Sequence, residues 1–146
     1  MAWTYVGKAE GLTVRVMVIS PLFGGAHPIA ESCQRGFVRL GHDATLADLR
    51  SFQARYQELR QRSASDEQAG LQFYSEVEVE LRRRVDSFKP DLVFSMALAP
   101  LRQTFLEYLR SQSVASACWF VEDCRRFPMW QWQCSWFDHF FTIQDG

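Results

Sequence analysis

Three short segments hold the residue types that could do chemistry. In Gly24-Gly25-Ala26-His27-Pro28 two glycines let the backbone come close to a ligand, and an imidazole titrating near pH ~6.5 could take a proton from a hydroxyl nucleophile. In Glu122-Asp123-Cys124-Arg125-Arg126, carboxylates able to hold sugar hydroxyls stand beside guanidinium groups able to hold phosphate or to balance those carboxylates. Trp130 and Trp132 lie in an irregular polar stretch, where an indole can stack on a sugar or cover a surface that meets another domain. Each segment also has a plainer account. These are a β-to-α turn with a histidine at the helix start, salt-bridged loop charges, and the core packing that must claim most aromatics between Trp119 and Phe141.

The elements that would position these residues can be read from apolar spacing. Val14 to Ile19 is an apolar run that breaks at Ser20-Pro21, and Ala30, Cys33, Phe37 and Leu40 follow at helical spacing until Gly41 stops the helix. His42 to Ala47 reads as a second strand. Asp48 can cap a helix with the apolar face Leu49, Phe52, Tyr56 and Leu59. A polar stretch, Gln61 to Gly70, precedes a longer helical pattern from Leu71 to Phe88, with a capping box Ser65-x-x-Gln68 as its start, so the excursion is one kinked helix or two. Asp91 to Met96, Ala115 to Phe120 and His139 to Ile143 are further strands. Pro100 fits the first turn of the helix between the first two of these, with Leu101, Phe105, Tyr108 and Leu109 inward. An aromatic helix or loop from Arg125 to Ser135 precedes the last strand.

Strands alternating with helices predict an α/β, doubly wound, Rossmann-like parallel sheet of five strands, over 13–146 after a leader at 1–12. Ligands of such sheets bind outside the carboxyl ends of the strands, where all three segments fall. His42 and His139 stand at strand starts, on the opposite edge, and are given no role.

Composition narrows the function classes. The 146 residues carry 16 Lys+Arg against 17 Asp+Glu, so no global field attracts nucleic acid, and Arg82-Arg83-Arg84 lies in a helical pattern as a solvated face. No apolar run reaches the ~18 residues of a membrane span and no signal peptide pattern opens the chain, so the expected location is cytoplasmic. Cys33, Cys118, Cys124 and Cys134 form no C-x-x-C pair and read as thiols. Together with His139 the last three do not match the common zinc spacings, so no metal is expected. Gly24-Gly25 is neither a dinucleotide fingerprint, which would need glycines at Ala26 and Ile29, nor a P-loop.

Taken in order, Val16-Met17-Val18-Ile19-Ser20-Pro21-Leu22-Phe23-Gly24-Gly25, Gly36-Phe37-Val38-Arg39-Leu40-Gly41-His42, Lys89-Pro90-Asp91-Leu92-Val93-Phe94, Cys118-Trp119-Phe120-Val121-Glu122-Asp123 and Phe137-Asp138-His139-Phe140-Phe141-Thr142 resemble the N-terminal half of GT-B glycosyltransferases. Within that class the resemblance is to the CgeB-like (spore maturation protein) group. It implies one half of a GT-B fold: a domain that binds a sugar or hydroxyl acceptor and holds no cofactor itself, facing a C-terminal donor domain or partner subunit that brings the nucleotide-sugar. It implies acceptor contacts near Gly24, Gly25, His27 and Asp123. Inverting plant-type members carry the base in a Gly-His at the start of the first helix. His27 falls near that place with Ala26 before it, and a retaining mechanism would not use it as base.

The alternative is a stand-alone ligand-binding or protein-interaction module without catalysis. A phosphoacceptor receiver is excluded, because Ser20-Pro21, Ser95-Met96 and Ile143-Gln144 stand where its acids and lysine belong. The aromatic C-terminal region could also mediate self-association.

Overall fold

A computed structural model describes residues 12–62 and 67–144. The leader therefore lies outside the described residues, except its last residue, and so does Ser65 of the capping box.

The five strands are all parallel, in the order β2-β1-β3-β4-β5. β1 (Arg15–Ile19) is central because Val16 to Ile19 are apolar toward both faces and fully buried. α1 (Ala26–Arg39) follows and ends where Gly41 takes φ +90° and His42 N–H returns to the Phe37 carbonyl. β2 (Asp43–Ala47) forms one edge of the sheet. After a 3-10 turn at Arg50–Phe52 the excursion is two helices, α2 (Gln53–Arg62) and α3 (Glu67–Phe88). Lys89, at φ +52°, and Pro90 stop α3 before β3 (Leu92–Met96).

α4 (Gln103–Ser111) begins later than its sequence suggests. Pro100 and Leu101 are buried in the loop before it rather than in its first turn, because the chain first folds down over Met96. β4 (Ala115–Phe120) matches the expected span. α5 (Trp130–Gln133) is a single turn running into a 3-10 turn at Cys134–Trp136, ahead of the second edge strand, β5 (His139–Thr142).

One core lies between the sheet and α3 and α4, filled by Met17, Ile19, Phe73, Leu81, Phe105 and Leu106, with α2 and Phe137 packed against it. The other lies under α1, where Ala30 meets Val16, Val18 and Met96. α3 runs antiparallel to the strands and, at 22 residues, is ~33 Å long against ~17 Å for a five-residue strand. Its first half therefore overhangs the carboxyl edge of the sheet, where α2 braces it through Arg55 and Glu76, 3.4 Å apart. Phe23, Tyr56 and Phe73 stack in series there, with centroids 5.5 and 5.2 Å apart, and so join the β1–α1 loop to this overhang. Glu78, buried in α3, accepts from Arg82 and from Thr104 Oγ1 at 2.6 Å and ties α3 to the start of α4. Arg82, Arg83 and Arg84 pair with Glu78 and Glu80 along the helix, but only Arg83 is exposed; Arg84 is half-buried and so is Arg82, which lies over the Tyr108 ring.

The amino edge is closed by carboxylates. Asp91 accepts the Arg15 N–H at 2.7 Å, and Asp138 accepts both Ser116 N–H and Oγ, bonds that hold its carboxyl below the usual range. His42 Nδ1 accepts the Val14 N–H, so this histidine serves the strand start.

Candidate functional site

The sequence-predicted residues all reach the carboxyl edge, but they form two corners rather than one site. Strand order explains the split: β3 lies between β1 and β4, so the loops that follow β1 and β4 start ~10 Å apart.

The first corner joins the ends of β1 and β2. Ser20 is buried, its Oγ donating to the Ala47 carbonyl and accepting the Leu49 N–H at 3.2 Å. The turn above it needs Gly24, whose φ of +93° strains any L side chain. Gly25 has φ −69°, and no atom lies within 4 Å of the position a Cβ would take, so the space above it is open. Gly25 ends the turn without a side-chain cap. Pro28 has no N–H and His27 N–H turns back toward the Gly24 carbonyl, so α1 keeps fewer free amides than most helix starts.

His27 is only 7% exposed. Its Nε2 lies 3.3 Å from Asp48 Oδ1 and its Nδ1 3.7 Å from Glu31 Oε1. A carboxylate only accepts, so Nε2–H donates to Asp48 while Nδ1 faces Glu31. Asp48 is held in turn by Arg50, whose backbone N–H is 2.9 Å from Oδ1 and whose guanidinium reaches both oxygens. These bonds, the Arg50 side chain first, keep the Asp48 carboxyl well below the ordinary carboxylate range despite its partial burial. Asp48 does not cap the helix as expected: α2 starts at Gln53, the N-cap position of the preceding 3-10 turn is Leu49, and the Asp48 carboxylate instead makes a local turn bond to the Arg50 N–H. Its reach across 21 residues to His27, and the parts of Glu31 and Arg50, were not anticipated. The one available sign was an acid directly after an edge strand, at the end of the sheet where ligands bind.

The second corner lies beyond β4 and β5. Asp123 Oδ1 accepts the Arg125 N–H at 2.9 Å, and the Arg125 side chain folds back on the same carboxylate, lowering its pKa. Trp130 Nε1–H donates to the Cys124 carbonyl, and Cys124 N–H donates to Gln144 Oε1, both at 3.1 Å. These bonds frame a cavity of about 860 Å³ lined by Cys124, Arg125, Pro128, Trp130, Gln131, Thr142 and Gln144. Trp132 does not line it and is 54% exposed. Glu122 makes no ion pair among the described residues; the Arg126 N–H donates to the Asp123 carbonyl at 3.0 Å, and its guanidinium lies over the Phe127 ring. Gln131, Thr142 and Gln144 were given no site role in the sequence reading, because uncharged amides and hydroxyls at a sheet edge leave no spacing signal.

Between the corners the loop after β3 forms an apolar floor. Leu98 is held at φ +61°, Ala97 N–H bonds the Trp119 carbonyl, and Ala99 and Pro100 are buried. This loop adds no polar group to either corner.

Among the described residues no three His, Cys, Asp or Glu side chains are grouped to hold a metal. Burial pushes the Cys118 thiol up to about 12, so it rests protonated in the core. No described helix is long and apolar enough to cross a membrane. The fold places the chain among the doubly wound α/β proteins with a Rossmann-like sheet. No family model matches it, and no curated protein or solved structure does so either.

Proposed function

We propose that this chain is the acceptor-binding half of a nucleotide-sugar-dependent glycosyltransferase of GT-B type, completed by a C-terminal donor domain or a partner subunit. The observation that carries the reading is the cavity at Trp130. It offers one indole beside Gln131, Thr142, Gln144 and Arg125, a mixture of aromatic surface and uncharged hydrogen-bonding groups suited to a sugar ring. Glu122 and Asp123, which lead into the lining residue Cys124, would take hydroxyls, and Arg126 would take an anionic substituent.

In the reaction the acceptor oxygen bonds to the anomeric carbon while the bond from that carbon to the diphosphate breaks, the electron pair leaving with the diphosphate. The acceptor proton passes to His27 Nδ1, on the side of Glu31, with Asp48 holding Nε2–H as the orienting partner. Three strand spacings, ~14 Å, separate β1 from β5, so an acceptor that touches both corners is elongated, such as an oligosaccharide. The low exposure of His27, between two carboxylates, favours the second reading, a ligand-binding or protein-interaction module without catalysis, in which the imidazole is a structural latch.

The test is titration of the chain with short oligosaccharides and, separately, with nucleotide-sugars, followed by calorimetry and by the Trp130 indole N–H resonance. We expect oligosaccharide binding that moves this resonance and weakens at least ~10-fold in Trp130→Ala, with nucleotide-sugar bound weakly. Submicromolar nucleotide-sugar binding would overturn the assignment of halves. Silence toward every saccharide, in a chain whose circular dichroism is that of a folded α/β protein, would leave the non-catalytic module.

A further inference from the structure

Beneath the C-terminal half of α3 the sheet is incompletely filled. Thr45 and Ala47 of β2 stand in register beside Met17 and Ile19 of β1, so all four share the α3 face, as does Arg15 by alternation. Thr45 and Ala47 are short side chains on an edge strand, and α3 does not close down onto them. The result is a cavity of about 350 Å³, floored by Met17, Thr45 and Ala47 and walled by α3, with Arg15 at its amino end. Arg84, Ser87 and Phe88 form that wall because positions three and four apart lie on one side of a helix, and Arg83 adjoins them. His27 stands on α1, across the sheet, and no residue of the Trp130 cavity lines this one.

The polar groups here have bonding capacity left over. Arg84 donates to Glu80 through Nε at 2.7 Å, and its terminal amino groups have no partner among the described residues. The Arg15 guanidinium has Asp43 at 3.7 Å, beyond hydrogen-bond length, and is steadied by the Phe88 ring, whose centroid lies 4.8 Å from its central carbon. Neither Thr45 Oγ1 nor Ser87 Oγ makes a hydrogen bond among the described residues. Every charged residue that lines the cavity is an arginine. The carboxylates paired with them, Asp43 and Glu80, stand outside the lining and offset two of the three positive charges.

We propose that this cavity binds a small organic monoanion, a carboxylate on an apolar or aromatic body, held by Arg15 and Arg84. Carboxylate oxygens accept from guanidinium N–H groups in charge-assisted bonds, which are shorter and stronger than neutral ones, and the two hydroxyls can donate to the same oxygens. The apolar body then rests on Met17, Ala47 and the Phe88 ring. A volume of 350 Å³ is that of about a dozen waters at ~30 Å³ each, so the ligand has on the order of ten non-hydrogen atoms and is smaller than a nucleotide. This site does not depend on the glycosyltransferase reading.

Calorimetric titration of the full chain with hexanoate, phenylpropionate and indolepropionate is the test, with the matching amides as uncharged controls. At least one acid should bind saturably at millimolar concentration or below, and its amide at least ~10-fold more weakly. Arg15→Gln and Arg84→Gln should each weaken the acid at least ~10-fold with unchanged circular dichroism. Ser87→Phe, at an exposed position, should fill the cavity and abolish binding, while Arg39→Gln, exposed on α1, binds as the parent does. Silence toward all three acids overturns the proposal, as does equal binding of acid and amide. Phenyl phosphate bound more tightly than every carboxylate overturns the choice of a monoanion. Binding lost in Trp130→Ala but kept in Arg84→Gln and Ser87→Phe overturns the location, because it places the ligand in the other cavity.

Discussion

Asp48-Leu49-Arg50 at the end of β2 and Asp123-Cys124-Arg125 at the end of β4 are the same local device. In each, the aspartate Oδ1 accepts the N–H of the arginine two residues on at 2.9 Å, and the guanidinium closes on the same carboxylate. Their uses differ because of what stands behind them. Asp48 also holds a buried imidazole, next to Leu49, whose N–H is fixed by buried Ser20. Arg125 is 87% exposed and borders an open cavity. One electrostatic motif thus becomes a latch or a rim according to whether a third group is buried against it.

The sharpest way to break this comparison is to remove the aspartate at each corner. Asp48→Ala takes the acceptor from the buried His27 Nε2 and should lower unfolding free energy by about 1.5–3 kcal/mol, the range for hydrogen bonds to charged groups. Asp123→Ala should leave the urea midpoint unchanged within reproducibility, because its partner is in water. Equal losses at the two corners would erase the distinction.

Ser20→Ala comes next. It leaves the buried Leu49 N–H without its acceptor and should cost about 1–2 kcal/mol in the same urea titration.

Acid should separate the corners in a different way. The folded Asp48 carboxyl is depressed, so its contribution is complete above the unfolded pKa, near ~4, and is lost as pH falls through that value toward the folded one. Denaturant midpoints of the parent should therefore fall more steeply below pH ~4 than those of Asp48→Asn, the gap between them narrowing as acid is added. Parallel curves would mean that Asp48 is not held in its charged form.

The smallest effect sharpens the comparison within the first corner. Gly24→Ala must hold a side chain at φ +93° and should cost about 1 kcal/mol, whereas Gly25→Ala, with ordinary φ and empty space, should be neutral or slightly stabilising by thermal melting.

Much of the fold was legible because it rests on short-range pattern. The apolar run of β1, the helical spacing from Ala30 to Phe37 and the Gly41 stop each follow from backbone and side-chain period over a few residues. α4 was misread at its start because Pro100 satisfies a helix's first turn and an irregular turn equally well, and burial of Leu101 against Phe105 and its neighbours decided between them. Of the candidate site, the loops were legible and their grouping was not. Nothing in the spacing of His27 and Asp48 says that they meet.

The sequence by itself determined which residues lie at the carboxyl edge: alternation of strand and helix sends every β-to-α loop there, and the glycines and charges of those loops are local facts. Only the tertiary structure decided that the strands run β2-β1-β3-β4-β5, that the site splits into two corners, and that α2, α3 and α4 gather on one sheet face with α1 on the other. Those outcomes depend on which way each crossover turns and on what packs across the sheet, contacts between residues distant in the chain that no local period records.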